Sequence, residues 1–302
     1  ADIAASTTIP NFSDVSVKAS GSGLVYSHTI AGAGGIVSGA GSSANATDSE
    51  IVSAGIGANA SVSATGTNGI LVDARATPNV SVESEGVAAG AIGVGASVAL
   101  ATASANVTAY VDNDATLSGG KLKIAAYVLV PSGGHSANAF AVGSGGGFLL
   151  GIQATDAEAK NTSSATAYGG TGLHLPSSDV TILSETDTDQ YAEGKGFSAA
   201  YVGLGATVAI TTSNTHSIAY LDSGAVTVSN NRGVLTITAS GNDNNKSDAL
   251  AGSGGVVAGA AAVATTSATA ETNASLKDAA SSDTLYFGGF GVGAAHTATY
   301  EA

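Results

Sequence analysis

The sequence predicts an all-β protein, an elongated β-solenoid in which about five repeats of about 55 residues stack on one another. Three observations lead to this prediction. Of the 302 residues, 42 are Gly and 44% are apolar, but only 5% are aromatic. A short apolar segment recurs along the chain, and apolar and polar residues alternate with period two within each copy. Because each Ala or Val buries little apolar area, such a core needs long, flat contacts.

Each predicted repeat begins with a short starter segment. The central residues of these segments are Val17, Val72, Ile124, Ile182 and Ile237, so successive copies are 55, 52, 58 and 55 residues apart. A polar stretch, a Gly/Ala-rich run and a Thr/Ser/Ala alternation follow each of them. We therefore interpret residues 1–302 as a single array. It has a lead-in at 1–12, repeats at 13–68, 69–119, 120–178, 179–232 and 233–284, and the start of a further partial repeat at 285–302.

The starter segments and the alternations are predicted to be β-strands. Ala favours helix, but each Gly costs a helix about 1 kcal/mol, and the alternating Thr and Val favour strand. Gly93 and Gly95 share one face of such a strand. An inward-facing Gly lets a second sheet approach closer than the usual distance of about 10 Å. Turn residues precede the later starter segments, at 67–69, 118–120, 176–179 and 230–233.

The sequence leaves two features of the architecture undecided: the number of coils in each repeat and the direction of neighbouring strands. One repeat can form one wide coil or two narrow ones, because the pattern of apolar residues fits both. A stack of antiparallel β-hairpins is the alternative fold, because the Gly-rich tracts inside each repeat could turn the chain.

Charge and hydropathy limit the partners. Nine Lys and Arg against 23 Asp and Glu give a net charge of −14, whereas nucleic-acid binding needs basic patches. We expect no nucleic-acid partner. The uncharged runs at 86–111 and 249–270 are long enough to span a membrane as helices. They are rich in Ser, Thr and Gly and lack flanking Lys and Arg, so we predict strands and no transmembrane helix.

The V-x-V-x-A starters, together with the AVGxGG and VAxTTSATAxTxAxL runs, resemble the repeat regions of large secreted bacterial adhesins. These are the filamentous, haemagglutinin-like proteins exported by two-partner or autotransporter routes. The resemblance covers residues 13–278. It implies a β-solenoid stalk or fibre, outside the cell or on its surface, that serves attachment. It assigns no functional residue, because the repeats of that family are architectural.

The search for chemistry yields one candidate site. The chain contains no P-loop, H-E-x-x-H or G-x-S-x-G motif, so we expect no catalytic residue and no enzyme. The five His residues occupy no repeating phase. Glu185, Asp187 and Asp189 lie at i, i+2 and i+4, hence on one side of an extended chain. They are candidate ligands for calcium, the only cofactor that the sequence suggests, and a solvated acidic loop is the alternative.

We therefore expect an extracellular structural segment that forms a stalk or filament, binds a cell-surface or matrix ligand, and associates with itself through the repeat ends. Exposed strand edges invite pairing with another copy. One alternative is a carbohydrate-active β-helix enzyme that uses paired carboxylates. Another is an ice-binding protein with a flat Thr array, for which the Thr211-Thr212 and Thr265-Thr266 pairs are the candidates.

Overall fold

The computed structural model describes residues 1–176, 178–227, 233–277 and 285–302, and in these residues the chain is all-β without a helix. In chain order the strands are β1 (Asp2–Ile3), β2 (Thr8–Phe12), β3 (Val15–Ser22), β4 (Val25–Ile56), β5 (Ser61–Ala64), β6 (Ile70–Thr77), β7 (Val80–Val111), β8 (Thr116–Gly119), β9 (Leu122–Val128), β10 (Ala137–Asn161), β11 (Ser164–Gly169), β12 (His174–Leu175), β13 (Val180–Ala199), β14 (Val202–Leu221), β15 (Val226–Thr227), β16 (Val234–Gly254), β17 (Val257–Leu276) and β18 (Gly289–Glu301).

Strand pairing links each starter segment to the next one. Ile182 on β13 lies beside Ile124 of β9 on one side and beside Ile237 of β16 on the other. Every strand pair within the described ranges is parallel. The alternative of stacked antiparallel hairpins is therefore wrong. Many parallel strands stack side by side, which is compatible with the predicted β-solenoid.

The path of the chain is clearest around β13. This strand runs out along one row of strands (the front row), and the chain bends at Ala200 and Tyr201 (the tip). It returns along β14 in a second row (the back row), passes through the short strand β15 and enters β16 beside β13. We call one such passage a coil. The coil is thus wide, with long front and back strands, which decides between the two arrangements that the sequence left open.

Large apolar side chains fill the base of the coil, where the front, back and short rows meet. Ile182 from the front row, Leu221 from the back row and Leu175 from the short row are fully buried there. Short strands close this end, so the rows are far enough apart to enclose branched side chains. Because the same positions repeat in successive coils, the apolar core is continuous along the stack.

Small side chains fill the rest of the coil, which we call the blade. Its apolar interior is made mainly of Ala, for example Ala99, Ala157 and Ala209. Near the tip the two rows approach so closely that a Cβ on Gly145 would overlap the carbonyl oxygen of Ile152 across the blade. This confirms the close approach predicted from inward-facing Gly.

In the coils that contain β13 and β16, buried polar side chains join Ala in the interior of the blade. Ser184 and Ser217 share a hydrogen bond of 2.9 Å across the blade, and Thr188 donates to Asp243 at 2.6 Å. In the orientation of the Gln190 amide that satisfies its hydrogen bonds, its nitrogen donates to the side-chain oxygen of Asn245 at 2.8 Å. These side chains are fully or almost fully buried. They bond to one another because a buried polar group without a partner is costly.

The predicted turns agree with the structure where it describes them. Gly69 and Gly119 have φ angles of 67° and 100°, which an L side chain rarely adopts. The turn predicted at 230–233 and the repeat boundary at 284 fall largely outside the described residues. Both uncharged runs form strands, in β7 and across β16 and β17. The described ranges contain no helix long and apolar enough to cross a membrane.

Candidate functional site

The three predicted calcium ligands lie on the outer face of the front row. Glu185, Asp187 and Asp189 alternate along β13 with fully buried side chains, so all three point away from the core, as expected for an extended chain. In the next coil, Asn242 lies beside Asp187 and Asn244 lies beside Asp189. The acidic row of one strand is therefore continued by an amide row on the neighbouring strand.

The structure brings only two of these carboxylates together. Glu185 lies close to Asp187, and burial, followed by the charge of Glu185, raises the pKa of Asp187 to about 6. Asp189 Oδ1 instead lies 2.9 Å from His135 Nδ1, within hydrogen-bond distance. In the part of the chain that the structure describes, no group of three or more His, Asp or Glu is placed to hold a metal ion. Calcium binding by Glu185, Asp187 and Asp189 stays a prediction.

A groove of about 620 Å³ opens on the same outer face, close to the base of the coils. It crosses the starts of β3, β6, β9 and β13 and therefore runs along the stack. Leu71 contributes outward-facing apolar surface, and Val15 and Leu122 line the groove from inward-facing positions. Its polar and charged lining is Asp14, Ser16, Lys18, Thr67, Asn68, Lys121, Lys123, Asp179 and Thr181.

Both carboxylates of the groove are already bonded within the protein. Asp14 accepts hydrogen bonds from the backbone N–H groups of Asn68, at 3.1 Å, and Gly69, at 2.9 Å. Asp179 accepts one from the N–H of Val234 at 3.0 Å and pairs with Lys121 Nζ at 3.1 Å. The N–H of Val234, and next Lys121, lower the pKa of Asp179. These acids hold the turns between coils, and Asp179 is also paired with a cation, Lys121.

Among the residues that the structure describes, two lysines of the groove have no carboxylate partner within 4.0 Å. Most other cations pair with an acid, for example Arg75 with Asp73 at 2.7 Å and Lys277 with Asp222 at 3.9 Å. In the described ranges, no carboxylate oxygen lies within 4.0 Å of the ammonium groups of Lys18, Lys123 and Lys160. Lys123 Nζ lies 5.7 Å from the centroid of the Tyr127 ring. The groove therefore holds unpaired positive charge in an acidic protein.

Sequence reasoning missed this groove for a definite reason. Lys121 and Lys123 are close in sequence, but Lys18 belongs to another repeat and reaches the groove only through strand stacking. The His residues behave in the same way. His28 lies 4.0 Å from Glu83, His216 lies 3.7 Å from Glu271, and the other pairs are His135 with Asp189 and His296 with Asp243. These four His residues do not recur at a fixed position in the repeats, but each lies beside a carboxylate of a neighbouring coil.

A second surface feature is an apolar rim along the tip. Ile36, Phe148 and Val256 are 82%, 80% and 72% exposed, and each belongs to a different coil. On the adjacent outer face of the back row, Val94 and Leu204 point outward while Gly93 and Gly203 face the interior. Exposed apolar surface that continues from coil to coil is typical of an interaction surface.

The Thr pairs do not form the flat array that an ice-binding surface needs. Thr211 lies beside Thr266 and is fully buried, whereas Thr265 lies beside Ile210. The sequence predicted that Thr211-Thr212 would lie beside Thr265-Thr266, but the observed pairing is shifted by one residue. The outward column next to Thr211 includes Thr212 and Ser267, but Lys160 interrupts it.

Comparison of the chain with models of protein families, with curated proteins and with solved structures found no match in any of the three.

Proposed function

We propose that this chain is an extracellular structural segment, a β-solenoid of about five repeats that forms a stalk or filament on a bacterial surface and serves adhesion. The observation that carries the proposal is the parallel stacking of the starter segments at the base of the front row. Val15, Ile70, Leu122, Val180 and Leu235 stack on one another at the same inward position. Each central strand is bonded on both sides, so the stack resists bending along its length.

The proposal includes self-association, end to end. The back part of β4 pairs with β7 on one side and, within the described residues, meets only the two residues of β1 on the other. Similarly, β17 pairs with β14 alone in the part of the chain that the structure describes. Unpaired strand edges can add a strand from another copy. The apolar rim at the tip supplies further surface for contact between copies.

Light scattering over a hundredfold range of concentration, together with negative-stain imaging, tests this proposal. We expect the mass to rise with concentration and the particles to be rods. Ser267→Lys combined with Thr269→Lys places two charges on the edge strand β17 and is expected to weaken association. The matched control is Thr102→Lys with Ser104→Lys, which places the same charges on β7, a strand with partners on both sides. Compact particles of constant monomer mass would contradict the proposal.

A second candidate is a carbohydrate-active β-helix enzyme, and the raised pKa of Asp187 near Glu185 favours it. A carboxyl group whose pKa is raised to about 6 by burial and by a neighbouring carboxylate has the property of the general acid in glycoside cleavage. Release of reducing ends from a panel of polysaccharides, compared between the unaltered protein and Asp187→Asn, tests this candidate. Activity that the variant loses would support the enzyme, and no release from any polysaccharide would contradict it.

A further inference from the structure

We propose that the groove at the base of the front row binds one carboxylated sugar, such as the acidic residue at the end of a glycan chain. The inference rests on the proposed adhesive function and names the class of ligand that it uses. Its basis is the combination of a groove of about 620 Å³, two unpaired lysines and a lining of hydroxyl and amide groups.

The charges of the groove favour a ligand that carries a carboxylate. Asp14 and Asp179 are bonded to backbone N–H groups, and Asp179 also neutralises Lys121. In the described residues no carboxylate oxygen lies within 4.0 Å of the ammonium groups of Lys18 and Lys123, and both line the groove. A hydrogen bond between an ammonium and a carboxylate is roughly twice as strong as one between neutral groups.

The uncharged lining favours a sugar over a simple anion. Ser16, Thr67 and Thr181 offer hydroxyl groups and Asn68 offers an amide, and all four line the groove. Leu71 supplies apolar surface between them, on which the C–H face of a sugar ring can lie. Ligand sites typically combine such apolar surface with a few polar groups, at volumes of about 300–1,000 Å³.

The charge of the whole protein limits the number of charges on the ligand. At a net charge of −14 the molecule repels polyanions over a Debye length of about 8 Å at physiological salt. A nucleic acid or a densely sulfated chain would meet this repulsion along its length, whereas a single terminal carboxylate meets it only at the groove. The net charge of the protein therefore favours a ligand that is a neutral glycan ending in one acidic sugar.

Calorimetric titration of the whole chain with sialyllactose, which carries one carboxylate, tests the inference, and lactose is the neutral control. We expect sialyllactose to bind at least tenfold more tightly than lactose, and less tightly as salt is added. Lys18→Gln and Lys123→Gln are each expected to weaken binding about tenfold. Lys160→Gln removes an equally unpaired lysine on the back row and is expected to leave binding unchanged.

Equal binding of the two sugars, no binding of sialyllactose, or an equal loss in Lys160→Gln would overturn the inference. The proposed function is tested separately by light scattering and by attachment of the protein to cultured cells. Attachment that persists after sialidase treatment of the cells would leave adhesion standing and reject this ligand. If sialyllactose binds but the protein neither attaches nor self-associates, the stalk proposal fails and the sugar site stands.

Discussion

The rings of Tyr168 and Tyr220 stack with their centroids 5.2 Å apart and an angle of 6° between their planes. The two residues are direct neighbours in the parallel register of β11 and β14. Tyr110 of β7 stacks on the other face of Tyr168 at 5.7 Å, and Lys277 Nζ lies 3.6 Å from the centroid of Tyr220. Stacking of equivalent side chains in successive coils therefore adds an aromatic ladder to the backbone hydrogen bonds.

Replacement of the central ring of this ladder is expected to destabilise the protein. Tyr168→Leu removes two stacked pairs, each worth about 0.5–1.5 kcal/mol beyond buried area, so we expect a loss of about 1–3 kcal/mol. The measurement is the free energy of unfolding in urea. Tyr201→Leu is the control, because Tyr201 is exposed at the tip, and equal effects of the two changes would refute a role for stacking.

The tip is expected to tolerate no side chain on its inner face. Gly145→Ala places a methyl group against the carbonyl of Ile152, and overpacking of this kind costs about 1–3 kcal/mol. Gly41→Ala adds a methyl group on the outer face of the blade, where nothing lies within 4 Å. That change should leave the protein equally stable or slightly more stable. Thermal unfolding of both variants decides, and unchanged stability of Gly145→Ala would contradict the close approach of the rows.

The protein is expected to lose stability as the pH rises from 4 to 7. The pKa of Asp187 is raised to about 6 in the folded state, against about 3.9 for a free Asp side chain. The folded state thus binds more protons, and the stability gained below pH 4 is lost as the pH passes 6. Because Asp187 is partly exposed, the loss should be on the order of 1 kcal/mol.

Unfolding free energies of Asp187→Asn measured between pH 4 and pH 8 test this expectation. The variant should match the unaltered protein at pH 4 and exceed its stability at pH 8, because an amide carries no charge to bury. Asp2→Asn, an exposed acid on the short strand β1, should change neither value. A pH profile of Asp187→Asn that stays parallel to that of the unaltered protein would show that Asp187 does not titrate in this range.

The buried Asp243 is expected to be needed for stability. Its carboxylate accepts hydrogen bonds from Thr188 at 2.6 Å and Thr215 at 3.0 Å, and His296 Nε2 lies 3.4 Å away. Asp243→Ala leaves these donors without an acceptor and should cost about 2–3 kcal/mol. Asn244→Ala, its outward-facing neighbour, should change stability by less than about 0.5 kcal/mol. Chemical denaturation measures both, and a neutral Asp243→Ala would show that the interior polar groups do not depend on this carboxylate.

Much of the fold could be predicted from spacing alone. The distances between Val17, Val72, Ile124, Ile182 and Ile237 equal the offsets between paired strands, because a parallel stack places equivalent residues side by side. The alternation around Glu185 likewise predicted that three carboxylates share the outer face. The alternation could not predict that Asp189 would contact His135, because this contact joins residues of two neighbouring coils.

Hydropathy alone would assign the wrong side chains to the interior near the tip, whereas the expectation of inward-facing Gly assigns the right ones. In β7 the bulky Val94 points outward and the small Gly93 points inward, the reverse of what burial of apolar area alone would favour. Near the tip the opposing rows leave no room for a branched side chain between them, so the larger residues lie outside. The apolar rim follows from this constraint.

The sequence by itself predicted the strands and the turn positions, because period-two alternation and Gly at positive φ act over short stretches of chain. The choice of parallel stacking over antiparallel hairpins came from the tertiary structure. Only the tertiary structure decided which residues meet. Lys18 and Lys123 share a groove, His296 reaches Asp243, and Tyr168 stacks on Tyr220 because neighbouring coils lie about 4.8 Å apart. Residues from different repeats thus become closer than residues a few positions away in the same strand.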